Sequence, residues 1–169
     1  MNFKQSPKRL AAVFAILLLI AISVSIALTQ SGGTKNVAVN GSLPTVSTQA
    51  GVAPTIGKPS GSAPTSLITK DIIVGTGKAA VTGSTVTAHY VLMSWKTGNV
   101  LQSSWTSGQA PTFSLFGVIP GWQQGIPGMK VGGRRLLVIP PPLAYGANGS
   151  GPVGPNETLV FVVDLVAVN

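Results

Sequence analysis

The sequence has no cysteine, a single histidine and only three acidic residues, so it lacks the side chains on which most enzyme chemistry depends. Without cysteine the chain forms no disulfide, no thiolate zinc site and no thiol nucleophile. One histidine and three acids cannot fill a multi-histidine metal site, and they leave little room for a Ser-His-Asp triad or a carboxylate pair. These residues are His89, Asp71, Glu157 and Asp164. We therefore expect no metal and no cofactor, and any catalysis must proceed largely without ionisable groups.

The 11 basic residues are unevenly placed, and the N-terminal nine residues contain three of them and no acid. Residues 10–28 follow as an apolar run interrupted only by two serines. As a helix this run would span roughly 28 Å, which matches the hydrocarbon core of a bilayer. A basic head before such a run predicts a secretory signal peptide or a signal anchor over residues 1–29, with the short N-terminus in the cytoplasm.

The sequence leaves open whether this segment is cleaved. The apolar run exceeds the usual signal-peptide core of about 7–15 residues, which favours retention as a membrane anchor. Ser25-Ile26-Ala27, however, resembles a small-residue cleavage site. In both cases we expect an extracytoplasmic protein, either single-pass in the cell membrane with its C-terminal domain outside or secreted.

Residues 30–66 are rich in Ser, Thr, Gly and Pro and contain no aromatic and no acidic residue. Such a segment buries too little apolar surface to offset the entropy of ordering it, so we predict a flexible, disordered linker. Residues 67–169 are then the folded domain. Its basic residues Lys130, Arg134 and Arg135 are separated by glycines and lack interleaved aromatics, so we expect no nucleic-acid partner.

Strand patterns dominate residues 67–169, and helical periodicity is scarce. Apolar and polar side chains alternate with period two along residues 85–92, which is typical of a strand with one buried face. Further β-rich runs cover residues 67–74, 100–103, 113–115, 134–139 and 158–168. The one predicted helix covers residues 121–129, opened by Pro120 and stopped near Pro127-Gly128. Hairpin-connected strands with one short helix predict an α+β fold in which an antiparallel sheet packs on that helix.

Six short motifs follow one another in the domain. They are His89-Tyr90, Ser103-Ser104, Val118-Ile119-Pro120-Gly121-Trp122, Gly128-Met129-Lys130-Val131-Gly132-Gly133-Arg134-Arg135, Pro140-Pro141-Pro142-Leu143-Ala144-Tyr145-Gly146 and Thr158-Leu159-Val160-Phe161. In this order and spacing they closely resemble the FKBP-type peptidyl-prolyl cis-trans isomerases, the macrolide-binding immunophilins, in a prokaryotic exported or membrane-anchored form. The resemblance implies an antiparallel sheet half-wrapped around the short helix, with an aromatic pocket between them.

The resemblance also implies which residues form the pocket. Trp122 would be its floor at the start of the helix, and Val118 and Ile119 would form one rim. The walls would be Tyr90, Tyr145 and Phe161. In the family, the backbone N–H at the Ile119 position and the hydroxyl at the Tyr145 position bind carbonyl groups of the substrate or inhibitor.

The chain departs from the family pattern where the family usually has Phe-Asp, because Leu101-Gln102 occupies those positions. Gln102 keeps hydrogen-bonding capacity beside the substrate carbonyl but loses the charge. The region 105–117 is also shorter than usual, and an aromatic wall is expected to be missing near Pro111. These departures predict lower efficiency and lower macrolide affinity with an unchanged fold.

The expected function is acceleration of cis-trans exchange at X-Pro bonds of exported proteins. A dry aromatic pocket disfavours the planar amide more than the twisted, less charge-separated transition state, so no metal, acid, base or nucleophile is needed. The expected partners are proline-containing peptide segments, macrolide inhibitors and, through residues 10–28, a membrane. The alternative is a non-catalytic module that binds proline-containing segments as a chaperone or adaptor of the cell envelope.

Overall fold

The computed structural model describes residues 41–169. The predicted signal or anchor and the first part of the predicted linker lie outside the described residues. No helix among residues 41–169 is long and apolar enough to cross a membrane.

A six-stranded sheet, antiparallel throughout, forms the body of the domain in the order β1-β5-β6-β2-β3, with β4 also paired to β2. The strands are β1 (Ile68–Ile73), β2 (Thr85–Ser94), β3 (Val100–Ser103), β4 (Thr112–Ser114), β5 (Arg134–Ile139) and β6 (Leu159–Val168). The helix α1 is Pro120–Gly125, and 3-10 turns occupy Ser104–Ser107 and Pro141–Leu143. The α+β class, the antiparallel sheet and the single short helix are confirmed for this part of the chain.

Two strands share one side of β2, and a serine fills the gap between them. The start of β2 pairs with β4 and its end pairs with β3. Between the two, the Ser104 hydroxyl accepts the Tyr90 N–H at 2.9 Å and donates to the Tyr90 carbonyl at 3.3 Å. Buried Ser104 thus replaces a missing strand partner, so the serine pair of the sequence motif has a structural role at the point where β2 presents Tyr90.

The inner face of the sheet packs on α1 and forms the main core. Trp122, Ile126, Leu137 and Phe161 are members of this cluster. The helix is shorter than the predicted 121–129 and ends at Gly125, because Pro127 has no N–H to continue the helical hydrogen bonds and Gly128 then adopts a left-handed φ of 83°. Pro120 occupies the first turn, where a missing N–H costs no hydrogen bond.

The prediction of a flexible, disordered linker over residues 30–66 is wrong for residues 41–66, which pack against the outer face of the sheet. We call residues 41–66 the arm. It is a hairpin in which Ser42 bridges to Ser60 and Val46 to Ile56. Its four prolines are all buried, and its apolar side chains cover a second core cluster. That cluster is formed by Met93, Trp95, Leu136, Val138, Val160 and Val162.

A fully buried arginine fixes the tip of the arm. Arg134 forms a two-pronged ion pair with Asp164, with both N–O distances at 2.6 Å. Two of its three remaining N–H groups donate to the carbonyls of Ser47 at 2.9 Å and Val52 at 2.7 Å. At the other end of the arm, the Trp95 indole donates to the Gly61 carbonyl. Arm, sheet and helix therefore form one packed unit from residue 41 onward.

The arm also carries a sequence repeat that explains its regular packing. The pattern Gly-x-x-Pro-Thr begins at Gly41, Gly51 and Gly61, a spacing of ten residues. In each copy the proline is buried and the threonine is exposed. Gly51 and Gly61 both have a left-handed φ, of 75° and 74°, which lets the chain turn at equivalent points. In the arm, a Pro- and Gly-rich composition thus accompanies a packed, extended conformation and not disorder.

Candidate active site

A pocket of about 320 Å³ opens between the inner face of the sheet and the N-terminus of α1. Its lining combines residues of β2, β3, β4, β6, the helix entrance and the loop after Pro141–Leu143. The lining residues are Tyr90, Leu92, Gln102, Phe113, Gly117, Val118, Ile119, Trp122, Tyr145 and Phe161. Seven of the eight predicted site residues are thus brought together, and Leu101 is the exception.

Trp122 lies at the centre of the aromatic side chains and is 4% exposed. Its ring centroid lies 5.9 Å from Tyr90, 5.5 Å from Phe161 and 5.4 Å from Phe113, each in an edge-to-face arrangement. This is the geometry that aromatic quadrupoles favour, so the rings hold one another in place. The result is a pocket lined mainly by aromatic rings, with Trp122 as its floor.

The rim at the helix entrance presents a free backbone donor. Ile119 precedes α1, and its carbonyl accepts the N–H groups of Trp122 and Gln123. Its own N–H makes none of the hydrogen bonds found among residues 41–169. The Gln123 side chain donates to the Val118 carbonyl at 2.7 Å, which fixes the rim from the helix side. The Ile119 N–H is therefore available to a carbonyl bound in the pocket.

Two tyrosines line the pocket with different exposures. Tyr145 is 38% exposed and follows the 3-10 turn Pro141–Leu143, so its side chain reaches the pocket from the mouth. Tyr90 is half-buried on β2. Burial raises the pKa of Tyr90 above 10.0, and the nearby phenol of Tyr145 raises it further. Both effects keep the Tyr90 hydroxyl protonated and the pocket uncharged.

Gln102 and Leu101 lie on successive positions of β3 and have different environments. Gln102 is exposed at the pocket mouth and stands opposite Leu92 in the strand register. Leu101 packs into the core cluster and does not line the pocket. The predicted binding role of Leu101 has no support in its position.

The aromatic wall expected to be missing near Pro111 is present, because Phe113 supplies it. Phe113 pairs in register with fully buried Val86, and directly opposed strand residues share a face. Its ring therefore turns inward and lies 6.0 Å from Tyr90. Sequence reasoning identified Phe113 only as part of a strand. Its inward direction follows from its register with Val86, which local sequence does not encode.

A second cavity of about 420 Å³ lies on the outer face, beside the arm tip. His89 stacks there on Trp105 at 4.0 Å between ring centroids, on the opposite strand face from Tyr90. Arg134 and Asp164 form part of its lining, but they hold each other and the arm. Four of the five N–H groups of Arg134 are thereby occupied, so this cavity offers less for recognition than the aromatic pocket.

The sheet half-wrapped around a short helix, with an aromatic pocket and a free N–H at the helix entrance, defines a class of small peptide-binding isomerase domains. Similarity to known proteins supports the same class. Residues 76–166 match the family profile described as FKBP-type peptidyl-prolyl cis-trans isomerase. A protein of Corynebacterium glutamicum named "Probable FK506-binding protein" is 53% identical over 114 residues, covering 68% of this chain and 97% of its own length.

Other relatives are consistent with that match. An "FK506-binding protein" of Streptomyces anulatus is 49% identical over 119 residues, covering 68% of this chain and 96% of its own length. The crystal structure of FkpA from Escherichia coli is similar with a TM-score of 0.58 and 41% identity, over 61% of this chain and 48% of FkpA. This chain belongs to the FKBP-type peptidyl-prolyl cis-trans isomerase family, and its activity is peptidyl-prolyl cis-trans isomerisation.

Proposed function

We propose that the aromatic pocket binds the prolyl ring of a substrate on Trp122 and stabilises the twisted amide, without a covalent intermediate or a metal. The observation that carries this proposal is the ring of Tyr90, Phe113 and Phe161 edge-on around Trp122. Rotation about a peptide bond faces a barrier of about 18–20 kcal/mol because the planar form is stabilised by resonance and charge separation. A pocket without water favours the twisted form, in which that charge separation is smallest.

Polar groups at the rim would hold the backbone on either side of the rotating bond. The Ile119 N–H and the Tyr145 hydroxyl are the donors, and Gln102 is a neutral third group at the mouth. Each can bind a carbonyl in the turned conformation better than in the extended one. An acceleration of a thousandfold requires only about 4 kcal/mol of such differential binding. A few hydrogen bonds and apolar exclusion of water are sufficient for that.

The test is cis-trans exchange on a short X-Pro peptide, measured by NMR with the full chain in mild detergent. Trp122→Leu is expected to abolish most of the acceleration. Trp95→Leu is the matched control, because Trp95 is equally buried, at 5% exposure, but lies under the arm on the opposite face. Equal losses of activity in folded samples of both variants would contradict the proposed pocket.

We also propose that the substrates are exported proteins and that residues 10–28 retain the enzyme at the membrane. The support is the basic N-terminus before the apolar run. Because the chain is packed from residue 41, only residues 29–40 are left to link the proposed span to the domain, and they reach about 40 Å at most at roughly 3.3–3.6 Å per residue. Protease accessibility in intact cells, with N-terminal sequencing of the mature protein, tests location and cleavage.

We propose, finally, that macrolides of the FK506 type compete for the same pocket. Two relatives are named as FK506-binding proteins, and the rim residues Val118 and Ile119 are present in this chain. The neutral Gln102 at the mouth is expected to weaken this binding. Quenching of Trp122 fluorescence by FK506, lost in Trp122→Leu, is the corresponding measurement.

A further inference from the structure

Glu157 is the one acid among residues 41–169 that does not pair with an arginine. Asp164 pairs with Arg134 and Asp71 pairs with Arg135. In a chain with only three acidic residues, a half-buried carboxylate without a cationic partner calls for another explanation. The hydrogen bonds that Glu157 accepts from Ser94 and Gly154 explain why this carboxylate is half-buried.

The Glu157 carboxylate joins the end of β2 to the loop that follows Tyr145. One oxygen accepts the hydroxyl of Ser94, which is fully buried at the end of β2. The other oxygen accepts the Gly154 N–H at 2.9 Å. The Ser94 hydroxyl oxygen in turn accepts the Thr97 N–H at 3.2 Å, so the β2–β3 turn belongs to the same network. Both carboxylate oxygens are therefore used as acceptors that hold two segments together.

The loop held by Glu157 closes directly on the residue after Tyr145. The Asn156 N–H donates to the Gly146 carbonyl at 2.9 Å, and the Gly146 N–H donates to the Pro141 carbonyl at 2.9 Å. Asn156 adopts a left-handed φ of 53°, a conformation that asparagine tolerates better than most residues with a side chain, and this lets the chain turn at the closure. Glu157 is its immediate neighbour and is fixed on both carboxylate oxygens. The position of Gly146, and with it of Tyr145, therefore depends on Glu157.

We propose that Glu157 is a positioning residue for isomerisation, which acts by holding the Tyr145 side chain at the pocket mouth. The proposal rests on the proposed role of Tyr145 in binding a substrate carbonyl. Glu157 itself does not line the pocket, so it is not a catalytic residue. It acts through Ser94, Gly154 and the closure between Asn156 and Gly146.

A double-mutant cycle with Tyr145 separates positioning from a general structural effect. Glu157→Gln keeps the size of the side chain but offers one acceptor oxygen where the site presents two donors. In the otherwise wild-type chain it is expected to lower kcat/KM about five-fold, the size of one lost hydrogen bond. In the Tyr145→Phe background the same substitution is expected to cost less than about two-fold, because interacting residues are not additive. Asp71→Asn, which removes a carboxylate on the exposed edge strand β1, is the control and is expected to leave kcat/KM unchanged.

Each outcome decides the proposal. No loss of kcat/KM in Glu157→Gln, or an equal loss in both backgrounds, would overturn it. Hydrogen exchange of the Asn156 amide in the full chain gives a readout independent of activity, and we expect faster exchange in Glu157→Gln than in Asp71→Asn. Unchanged protection of Asn156 would refute the positioning network even if the wild-type chain showed no isomerase activity. Absent wild-type activity together with faster Asn156 exchange would instead refute the proposed function and leave the network standing.

Discussion

Replacement of Arg134 by methionine is expected to destabilise the domain strongly, although Arg134 lies outside the pocket. Arg134 is fully buried, and the Asp164 side chain is only 14% exposed. The substitution leaves that carboxylate without its partner and removes the donors for the Ser47 and Val52 carbonyls of the arm. Breaking a buried ion pair from one side typically costs about 3–5 kcal/mol. The two hydrogen bonds lost to the arm add to this cost, so we expect the free energy of unfolding to fall by at least about 3 kcal/mol.

The neighbouring residue Arg135 provides the control. Arg135→Met removes an arginine of the same strand, but its partner Asp71 is 41% exposed and sits on the edge strand β1. Surface ion pairs contribute about 0–1 kcal/mol to stability, so we expect Arg135→Met to lower the free energy of unfolding only slightly. Loss of the hydrogen bond from Arg135 to the Gly125 carbonyl adds to this effect. The assay is urea unfolding at neutral pH, followed by tryptophan fluorescence, for both variants.

The importance assigned to the buried ion pair is refuted if Arg134→Met lowers the free energy of unfolding no more than Arg135→Met does. A third variant tests its electrostatic part. In Arg134→Met combined with Asp164→Leu no buried charge is left alone, and replacement of buried pairs by apolar residues is often neutral or stabilising. We expect this double variant to recover most of the lost stability. If it remains as unstable as Arg134→Met, the loss comes mainly from the released arm and not from the unpaired carboxylate.

Three further outcomes follow from the site. Tyr145→Phe is expected to lower kcat/KM about five-fold with unchanged far-UV circular dichroism, since one hydrogen bond is lost; full activity would exclude a role for its hydroxyl. Gln102→Asp restores a charge at the exposed mouth and should raise kcat/KM, and a decrease would contradict the weakening assigned to Gln102. The raised pKa of Tyr90 means that the folded state retains its proton longer than the unfolded chain, so stability is present below pH 10.0 and declines as pH rises through the folded pKa. Alkaline unfolding of Tyr90→Phe should show less of this decline, and an identical pH profile would refute the assignment.

The arm determines which fragment of the chain contains the complete folded domain. It covers six apolar side chains on the outer face of the sheet, among them Val160 and Val162. A fragment beginning at residue 67 would expose this face, and contiguous exposed apolar surface promotes association. Activity measured on such a fragment would therefore describe a domain whose second core cluster has lost the cover of the arm.

Much of the candidate site was predictable because it depends on local motifs. Pro120 at a helix start, the apolar residue Trp122 beside it and the alternation around Tyr90 are readable from spacing alone. The family resemblance then supplied the partners from distant parts of the chain. The place of Phe113 was missed because it depends on the β2–β4 register, a contact between strands that local sequence does not encode.

Composition alone predicts a disordered linker over residues 41–66, because composition takes no account of the sheet face on which these residues pack. Residues 159–163 and 136–139 are apolar at every position, which is typical of strands covered on both faces, and all of these residues are buried. The inner face meets α1, so the outer face also needs a cover, and in the described part of the chain, residues 41–169, the arm provides it. Charge scarcity, the short helix and the isomerase motifs were determined by the sequence itself, since each is a property of neighbouring residues. The packed arm, the Phe113 wall and the Glu157 network were decided by the tertiary structure, because only folding brings their distant partners within contact.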